Sequence, residues 1–380
     1  MKYLHTTARN TRIDIASFEP AQPGSPREVH AVLHLSPEAG AAAIDELSAA
    51  IAGLPASVGA DAVMQFARFM VADEALGRLI AASSLCAGAA RSVVVQPPLD
   101  GAAASVWIVW LSGVESSPIG KNLLETDFMQ YRIIWEGDRA IAPAGNSLDE
   151  TRAALGSLEY TLRQNHGSLA DSCHRTWFIV RDIDNNYGGV VEGRNEVFSR
   201  LGLTRDSHFI ASTGIGGAPA GPHRAIAFNS YSVLGLAPDS VRYLKAADHM
   251  NNTMDYGVAF ERGTALDFPD RRQVLISGTA SIDTSGQIVH EGDVERQTGR
   301  MIQNVDALIQ ESGTSRADLC YILVYLRNPA DASRVAPIIR REFGGVPAAI
   351  VHAPVCRKGW LVEMECALLA RTDINNNANS

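Results

Sequence analysis

Two glutamates stand close together in a short apolar segment near the C-terminal end of the sequence. The segment Leu361-Val362-Glu363-Met364-Glu365-Cys366 is predicted to be a β-strand, whose alternation places Glu363 and Glu365 on the same face. Burying an ionised carboxylate without a partner is costly, so such a group either keeps its proton to unusually high pH or pairs with a cation. A carboxyl group that is protonated near neutral pH can donate a proton to a substrate, and the segment therefore predicts general acid chemistry.

The sequence gives little support for metal or nucleotide chemistry. It contains no H-E-x-x-H motif and no C-x-x-C pair, so no metal site is predicted. The stretch Gly214-Ile215-Gly216-Gly217 is rich in glycine, but its surroundings do not form the strand, loop and helix of a dinucleotide-binding unit. We interpret it as a bent loop close to a substrate, and no cofactor is predicted.

The composition is that of a folded protein without a highly charged macromolecular partner. The chain has 380 residues, of which 46% are hydrophobic and 20% are charged, which suffices for two or three cores. The net charge of -9 and the lack of a basic run argue against nucleic-acid binding. No apolar run reaches the length of a membrane span, and the five widely spaced cysteines fit a reducing compartment. We therefore expect a cytoplasmic protein that binds neither nucleic acid nor membrane.

The elements that must position the two glutamates alternate between strands and helices in the last third of the chain. Apolar spacing and turn residues predict, in order, a glycine-broken strand at 274–280, a helix from Asp293 to Ser312, a strand at 320–326, a helix around 335–343, a strand at 348–352 and the final strand at 361–366.

The same order of elements recurs in the two earlier thirds. The middle third has a predicted helix at 149–164, a strand at 176–180, a helix ending at Phe198 and a strand at 208–211. The first third has a helix at 37–54, a strand at 62–68, a helix at 73–84 and strands at 93–95 and 106–111. Such internal repetition indicates three tandem α+β units of ordinary domain size. We assign them to residues 1–115, 116–236 and 237–371, followed by a disordered tail at 372–380.

The C-terminal unit resembles a known family. Ile276-Ser277-Gly278-Thr279-Ala280, Gly292-Asp293, Val324-Tyr325-Leu326-Arg327 and Val362-Glu363-Met364-Glu365 are together similar to the motifs of RidA/YjgF-like proteins. That family has a chorismate-mutase-like α+β fold and forms trimers with ligand sites at the subunit boundaries. The resemblance implies that three fused units form a pseudo-trimer within one chain.

Roughly residues 155–370 also resemble chorismatases, hydrolases of chorismate with a RidA-like C-terminal half. Three passages carry this resemblance by their order and spacing: Gly193-Arg194, Ala211-Ser212-Thr213-Gly214-Ile215-Gly216, and Val355-Cys356-Arg357 leading to Leu361-Val362-Glu363. The implied activity is cleavage of the enolpyruvyl ether of chorismate, which yields pyruvate and a hydroxybenzoate or a dihydroxycyclohexadienoate.

The resemblance also implies roles for individual residues. Glu363 matches the family's catalytic glutamate and would donate the first proton. The substrate is a small dianion, which arginine clamps bind well because the guanidinium pairs with a carboxylate through two hydrogen bonds. The residues implied to bind the substrate are Arg194, Arg357, Tyr231, Thr213, Gly214 and Gly263.

Cys356 is the second residue to which the resemblance gives a catalytic role. Cysteine at this position together with a glycine near Gly263 implies 3-hydroxybenzoate as the product. Two other functions remain open: a RidA-like hydrolase of imines or enamines, and a noncatalytic metabolite-binding protein. We expect a monomer or a weak homo-oligomer.

Overall fold

The computed structural model describes residues 1–54, 58–59, 61–139, 141–142 and 144–372. The disordered tail predicted at 372–380 lies outside these residues except for Thr372. Within the described ranges, none of the helices is both long enough and apolar enough to span a membrane.

The strands form three mixed sheets that follow one another along the chain. The first sheet has the strand order β1-β2-β3-β6-β4-β5-β12, the second β11-β10-β13-β9-β8-β7, and the third β14-β15-β16-β19-β17-β18. The strand bounds are β1 Lys2–Ala8, β2 Thr11–Phe18, β3 Arg27–Leu35, β4 Val63–Val71, β5 Ala90–Val95, β6 Ala104–Ser112, β7 Glu115–Gly120, β8 Leu123–Phe128, β9 Tyr131–Glu136, β10 Cys173–Val180, β11 Ala211–Gly216, β12 Ala218–Pro219, β13 Ile226–Leu234, β14 Val241–Leu244, β15 Gly263–Asp267, β16 Arg271–Ala280, β17 Leu319–Leu326, β18 Ala348–His352 and β19 Val362–Arg371.

The helices pack on the sheets and connect their strands. The α-helices are α1 Ala43–Gly53, α2 Glu74–Ala82, α3 Ser147–Gln164, α4 Leu169–Ser172, α5 Ile183–Arg200, α6 Val294–Glu311 and α7 Ala332–Phe343. Short 3-10 helices lie at Pro37–Ala42, Pro238–Ser240, Thr253–Tyr256, Arg316–Asp318 and Pro329–Asp331.

Each sheet contains the same three-strand arrangement, which confirms the predicted repeat. In each sheet, one strand (β4, β10 or β17) lies between two others. It pairs in parallel with β5, β11 or β18 on one side and antiparallel with β6, β13 or β19 on the other. The registers correspond, because Val71, Val180 and Leu326 end β4, β10 and β17 and are paired with the first residues of β6, β13 and β19, respectively.

The three sheets close into a ring through equivalent short pairings. The second member of each parallel pair contacts the chain just beyond the equivalent strand of another sheet. These contacts are Ile215 with Val355, Val351 with Pro98, and Val94 with Pro219. The chain is therefore a pseudo-trimer of RidA-like units, and the predicted α+β fold class is confirmed.

The inner faces of all three sheets meet in one aromatic core. Phe66 and Trp107 from the first sheet and Trp135 and Trp177 from the second are buried there with Tyr321 from the third. The Trp107 and Tyr321 rings are 4.1 Å apart between centroids, and those of Phe66 and Trp135 are 4.8 Å apart. Such tilted and stacked contacts add to the burial of large apolar surfaces. The sheets are thereby fixed relative to one another, and with them the clefts at their boundaries.

Two predicted elements differ from the observed ones. The strand predicted at 208–211 is observed at Ala211–Gly216, where parallel pairing with β10 stabilises a glycine- and serine-containing segment of low strand propensity. The helix predicted at 37–54 is interrupted at Gly40, whose φ of 48° is not helical. In contrast, α6 begins after Asp293 as predicted, because the Asp293 carboxylate accepts a hydrogen bond from the Arg296 backbone N–H.

Candidate active site

The candidate active site is a cavity of about 290 Å³ between the second and the third sheet. Helix α5 and strand β11 form one side, and the chain around β16 and β19 forms the other. The lining residues are Tyr187, Gly188, Val191, Arg194, Ser212, Gly214, Tyr256, Val258, Phe260, Arg262, Gly278, Ala280, Ile282, Cys356, Arg357, Trp360 and Glu363. The structure thus brings together five residues predicted from the sequence: Arg194, Gly214, Cys356, Arg357 and Glu363.

Glu363 is a buried carboxylate without a partner among the described residues. It is the second residue of β19, where it is opposite Ala280 on one neighbouring strand and Tyr325 on the other, and it is only 5% exposed. Burial raises the pKa of Glu363 to about 8, and the negative charge of Glu365 adds to this rise. The group is therefore largely protonated at neutral pH and is suited to donate a proton into the cavity.

Gly278 makes room for this carboxyl group. A Cβ atom added at Gly278 would lie 2.1 Å from Oε1 of Glu363 and 3.1 Å from Cγ2 of Thr213, so any side chain here would displace the acid. The glycine in the middle of β16 thus permits the close approach of Glu363 to the backbone. The break in this strand was visible in the sequence, but its contact with Glu363 was not.

Glu365, the other glutamate of this strand in the third sheet, is fixed by groups from the first and the second sheet. Trp177 Nε1 donates a hydrogen bond to its Oε1 at 2.9 Å, and Arg175 Nη2 donates to its Oε2 at 2.8 Å. Arg68 Nη1 of the first sheet lies 3.6 Å from Oε1. Thr213 Oγ1 also donates to Glu365 and accepts a hydrogen bond from the Gly278 backbone N–H. Glu365 therefore holds the three sheets together beneath the cavity, and it does not line the cavity itself.

Arg194 presents an unpaired guanidinium to the cavity. It is 1% exposed, and its Nη1 donates a long hydrogen bond to Ser212 Oγ at 3.5 Å. Its Nε and Nη2 atoms are buried without a hydrogen-bond partner. Because the buried charge lacks a carboxylate to pair with, it favours an anionic ligand.

Two further arginines face the same cavity without forming a salt bridge to any described acidic residue. Arg262 Nη2 donates to the backbone oxygen of Asn251 at 3.2 Å, while its Nε has no partner. Arg357 Nη1 donates to the backbone oxygen of Gly286 at 3.3 Å. The guanidinium of Arg357 lies 4.3 Å from the centroid of the Tyr256 ring and 4.8 Å from that of Trp360, which orients it by cation–π contact. The cavity therefore offers three cations and one protonated acid.

Cys356 lies beside Glu363 and Tyr187. Burial, together with the nearby Glu363 carboxyl group, raises the pKa of the Cys356 thiol to about 12, although Tyr187 and Arg357 oppose the rise. The thiol is therefore protonated at neutral pH and is not a nucleophile in this state. Burial also raises the pKa of Tyr187, so its hydroxyl is neutral and can donate a hydrogen bond. Its ring fills the space above Gly214, where an added Cβ would lie 2.6 Å from it.

Three residues predicted to bind the substrate do not line the cavity. Tyr231 is in the aromatic core, where its hydroxyl donates to Gln273 Oε1 at 2.8 Å and its ring packs on Trp135 at 4.6 Å between centroids. Thr213 points to Glu365, as described above. Gly263 starts β15, where an added Cβ would meet the Leu275 backbone oxygen at 3.1 Å. Tyr231, Thr213 and Gly263 are therefore buried in the described structure and are not among the residues that line the cavity.

Sequence reasoning missed several lining residues. Arg262 and Tyr256 come from a stretch of irregular chain that precedes β15, and Tyr187 comes from helix α5 of the second unit. Arg262 was the residue with the best signal, because it is an arginine that follows the apolar run Val258-Ala259-Phe260 and Glu261 and leads into a strand. Its role depends on a boundary between units, which the local sequence does not reveal.

Comparisons with known proteins agree with this architecture. The family described as Endoribonuclease L-PSP matches residues 266–369. A RutC family protein from Pyrococcus abyssi is 35% identical over 95 residues, which are 24% of this chain and 74% of that protein. A RutC family protein from Pyrococcus horikoshii is 32% identical over 95 residues, covering 24% of this chain and 75% of that protein. Through this C-terminal part the chain belongs to the RutC family.

A solved structure matches most of the chain. The crystal structure of a chorismatase superposes with a TM-score of 0.62 and covers 80% of this chain and 92% of that chain, at 20% sequence identity. This similarity shows a shared fold, so the chain is chorismatase-like in its architecture. The predicted resemblance to chorismatases with RidA-like units is thereby confirmed at the level of the fold.

Proposed function

We propose that this chain cleaves the enolpyruvyl ether of chorismate and releases pyruvate. The observation that carries the proposal is one cavity that holds both the protonated Glu363 and the unpaired guanidinium of Arg194. The chorismatase-like fold supports the same reaction.

The charges of the cavity fit a dianionic substrate. Chorismate carries two carboxylates, and Arg194, Arg262 and Arg357 supply three cations without acidic partners among the described residues. Bidentate pairing with two carboxylates would satisfy the buried nitrogen atoms of Arg194 that have no partner in the unliganded cavity. The apolar side chains of Val191, Val258 and Phe260 provide a surface for the ring. The chain as a whole has a net charge of -9, so an anionic ligand is attracted to this local group of arginines and not to the protein surface in general.

Glu363 would begin the reaction as a general acid. Its proton goes to the terminal carbon of the enolpyruvyl group, which leaves an oxocarbenium ion at the ether carbon. Addition of water gives a hemiketal, which collapses to pyruvate and the ring alcohol, and the released proton returns to Glu363. The guanidinium groups hold the carboxylates during these steps, so the vinyl carbon remains within reach of the acid.

We propose 3-hydroxybenzoate as the ring product. The support is Cys356, which lines the cavity beside Glu363 and keeps its thiol protonated. The ring alcohol of the hydrolytic step is a dihydroxycyclohexadienoate, and its loss of one water molecule gives 3-hydroxybenzoate, so the water added to the oxocarbenium ion is returned and no net water is consumed. Gly263, the other residue on which the sequence prediction relied, lies away from the cavity and gives this part of the proposal no support.

Hydrolysis of an imine or enamine is a second candidate. Membership of the RutC family and the position of Arg357 in the cavity favour it. A small carboxylate-bearing imine would use the same arginine clamp. It differs from the first candidate in that it does not require two anion-binding groups.

The test is a measurement of pyruvate release from chorismate, which is monitored by a coupled assay with lactate dehydrogenase. We expect release by the wild type and a loss of at least about a hundredfold in Glu363→Gln. The control is Glu261→Gln: Glu261 is also buried, but its carboxylate accepts a hydrogen bond from the Phe209 backbone N–H at 2.9 Å outside the cavity. Chromatography identifies the ring product. No pyruvate from a folded wild type contradicts the proposal, and release of ammonia from an imine would then support the second candidate.

A further inference from the structure

A second cavity, of about 870 Å³, lies between the third sheet and the first. The first sheet contributes a polar wall of His5, Arg12, Asp14 and His34, and the loop after β5 contributes Leu99 and Asp100. The third sheet contributes a largely apolar wall from helix α7 and strand β18, and Arg340 of α7 is the charged residue of this wall.

This cavity occupies the position that is equivalent to the candidate active site in the pseudo-trimer. By the register of the parallel pairs, Ala348 and Ile350 of β18 correspond to Ser212 and Gly214 of β11, and each pair lines its own cavity. Pro98 and Val355 make equivalent contacts between neighbouring sheets, so the residues that follow them in the chain also correspond. Leu99 and Asp100 therefore take the places of Cys356 and Arg357.

The chemistry at the equivalent positions is different. Ser105, the second residue of β6, replaces Glu363, the second residue of β19, so the acid is absent there. An aspartate at position 100 replaces the arginine at position 357, so one of the anion clamps is replaced by a carboxylate. The second cavity therefore lacks the acid and the arginine at the positions equivalent to Glu363 and Arg357, and its cations, Arg12 and Arg340, come from other positions.

The polar wall presents both signs of charge. His34 is 6% exposed, its Nδ1 lies 2.8 Å from Asp100 Oδ2, and its Nε2 lies 3.6 Å from Asp14 Oδ2. Arg12 lies 3.4 Å from Asp14 and 3.3 Å from Asp100. His5 Nδ1 contacts Asp14 at 2.8 Å, and the Ser105 hydroxyl contacts His34 Nδ1 at 3.2 Å.

One atom in this wall lacks a hydrogen-bond partner. His34 Nε2 is buried, and its nearest carboxylate oxygen is beyond hydrogen-bond distance. A buried polar atom of this kind is ordinarily satisfied by a partner or by a bound molecule. Because His34 lines the cavity, an acceptor group on a ligand would satisfy it.

We propose that this second cavity binds a free α-amino acid with an apolar or aromatic side chain. Asp14 and Asp100 would hold the ammonium group. Arg12 and His34 would hold the carboxylate. The apolar wall, with Ile339, Phe343 and Ile350, would cover the side chain together with Leu99 from the loop after β5. A ligand with both charges at one end and an apolar group at the other matches this division, whereas a pure anion or a pure amine satisfies half of it.

Calorimetric titration of the full chain tests the proposal with three probes of similar shape. The probes are L-phenylalanine, 3-phenylpropanoate, which lacks the ammonium group, and phenethylamine, which lacks the carboxylate. We expect L-phenylalanine to bind at least about tenfold more tightly than either of the others, because each of them contacts only the acidic or only the basic groups of the wall.

Two substitutions locate the binding. Asp100→Asn should weaken L-phenylalanine binding by about tenfold or more, and Ala336→Trp, on the cavity side of α7, should abolish it by filling the space. Arg341→Trp, which is on the same helix but does not line the cavity, is the matched control and should bind as the wild type does. Absence of binding to the wild type, or binding unaffected by both substitutions, would overturn the proposal. Binding that persists in Glu363→Gln separates this site from the candidate active site.

Discussion

Glu363 and Glu365 are on the same face of one strand of the third sheet. Glu363 has no partner among the described residues, whereas Glu365 is held by groups from the other two sheets. Glu365 is paired with Arg68 and Arg175, and its negative charge contributes to the raised pKa of Glu363. The ion network beneath the cavity fixes the strand, and its Glu365 charge adds to the effect of burial on the pKa of Glu363, while Arg175 of the same network opposes it. The acidity of the candidate catalytic group depends on a contact that spans the whole pseudo-trimer.

The first prediction concerns the dependence of catalysis on pH. Because the pKa of Glu363 is raised to about 8, the protonated acid is present below this pH and is lost above it. We expect kcat/KM for pyruvate release to decline above pH 8, by about tenfold for each further pH unit. Measurement of the profile between pH 6 and pH 10 checks this. A profile that is flat through pH 9 would show that Glu363 does not act as an acid in the free enzyme.

The second prediction concerns stability. In the unfolded chain a glutamate loses its proton near its ordinary pKa, whereas folded Glu363 keeps it to about pH 8. The folded state therefore binds more protons between these two values, and the free energy of unfolding falls as the pH rises through this window. We expect Glu363→Gln, which remains uncharged, to be more stable than the wild type at pH 9.

This difference in stability should largely disappear at pH 4, where Glu363 is mostly protonated in both the folded and the unfolded wild type. Thermal denaturation of the two proteins at pH 4 and at pH 9 measures it. Other buried acids, such as Glu136 with a pKa raised to about 7, titrate in both proteins and cancel in the comparison. An equal melting temperature at pH 9 would contradict the burial of an ionised Glu363.

The sequence predicted the last strand and its two acids because period-2 alternation and apolar content are local properties. It also predicted the main helix-strand order of all three units. It missed β1 to β3, β7 to β9 and β13 to β15. It placed β11 too early, because pairing with β10 overrides the low strand propensity of the sequence Ala211–Gly216.

The candidate site was harder to predict, because its residues come together only when the units close into a ring. Arg194 and Arg357 were identified by resemblance to a family, and both line the cavity. Tyr231 was identified in the same way, but its hydroxyl is satisfied by Gln273 inside the core. Whether a buried polar group faces a cavity or another side chain depends on packing between units, and a single sequence does not contain that information in its local pattern.

The third prediction concerns the unpaired guanidinium. We expect Arg194→Met to raise KM for chorismate by at least about tenfold, because the anion clamp is lost. The same change should raise the melting temperature, because it replaces a buried charge without a partner by an apolar side chain of similar length. Steady-state kinetics and thermal denaturation measure the two effects.

The control for Arg194 is an arginine that has partners. Arg316 Nη2 lies 2.6 Å from Asp306, and its guanidinium also contacts Glu342, away from the cavity. We expect Arg316→Met to leave KM unchanged and to lower the melting temperature slightly. If Arg194→Met kept the wild-type KM, the role of Arg194 as an anion clamp would be wrong.

The fourth prediction concerns the glycine that faces the acid. A methyl group at position 278 would lie 2.1 Å from Oε1 of Glu363, so Gly278→Ala must displace the carboxyl group from its place in the cavity. We expect kcat to fall by about a hundredfold, since a displaced acid no longer reaches the substrate. Gly299→Ala is the matched control, because Gly299 is in helix α6 and an added Cβ there would contact nothing within 4 Å. This control should retain full activity and gain up to about 1 kcal/mol of stability from the better helix former. Wild-type kcat in Gly278→Ala would show that the position of the Glu363 carboxyl group does not limit the reaction.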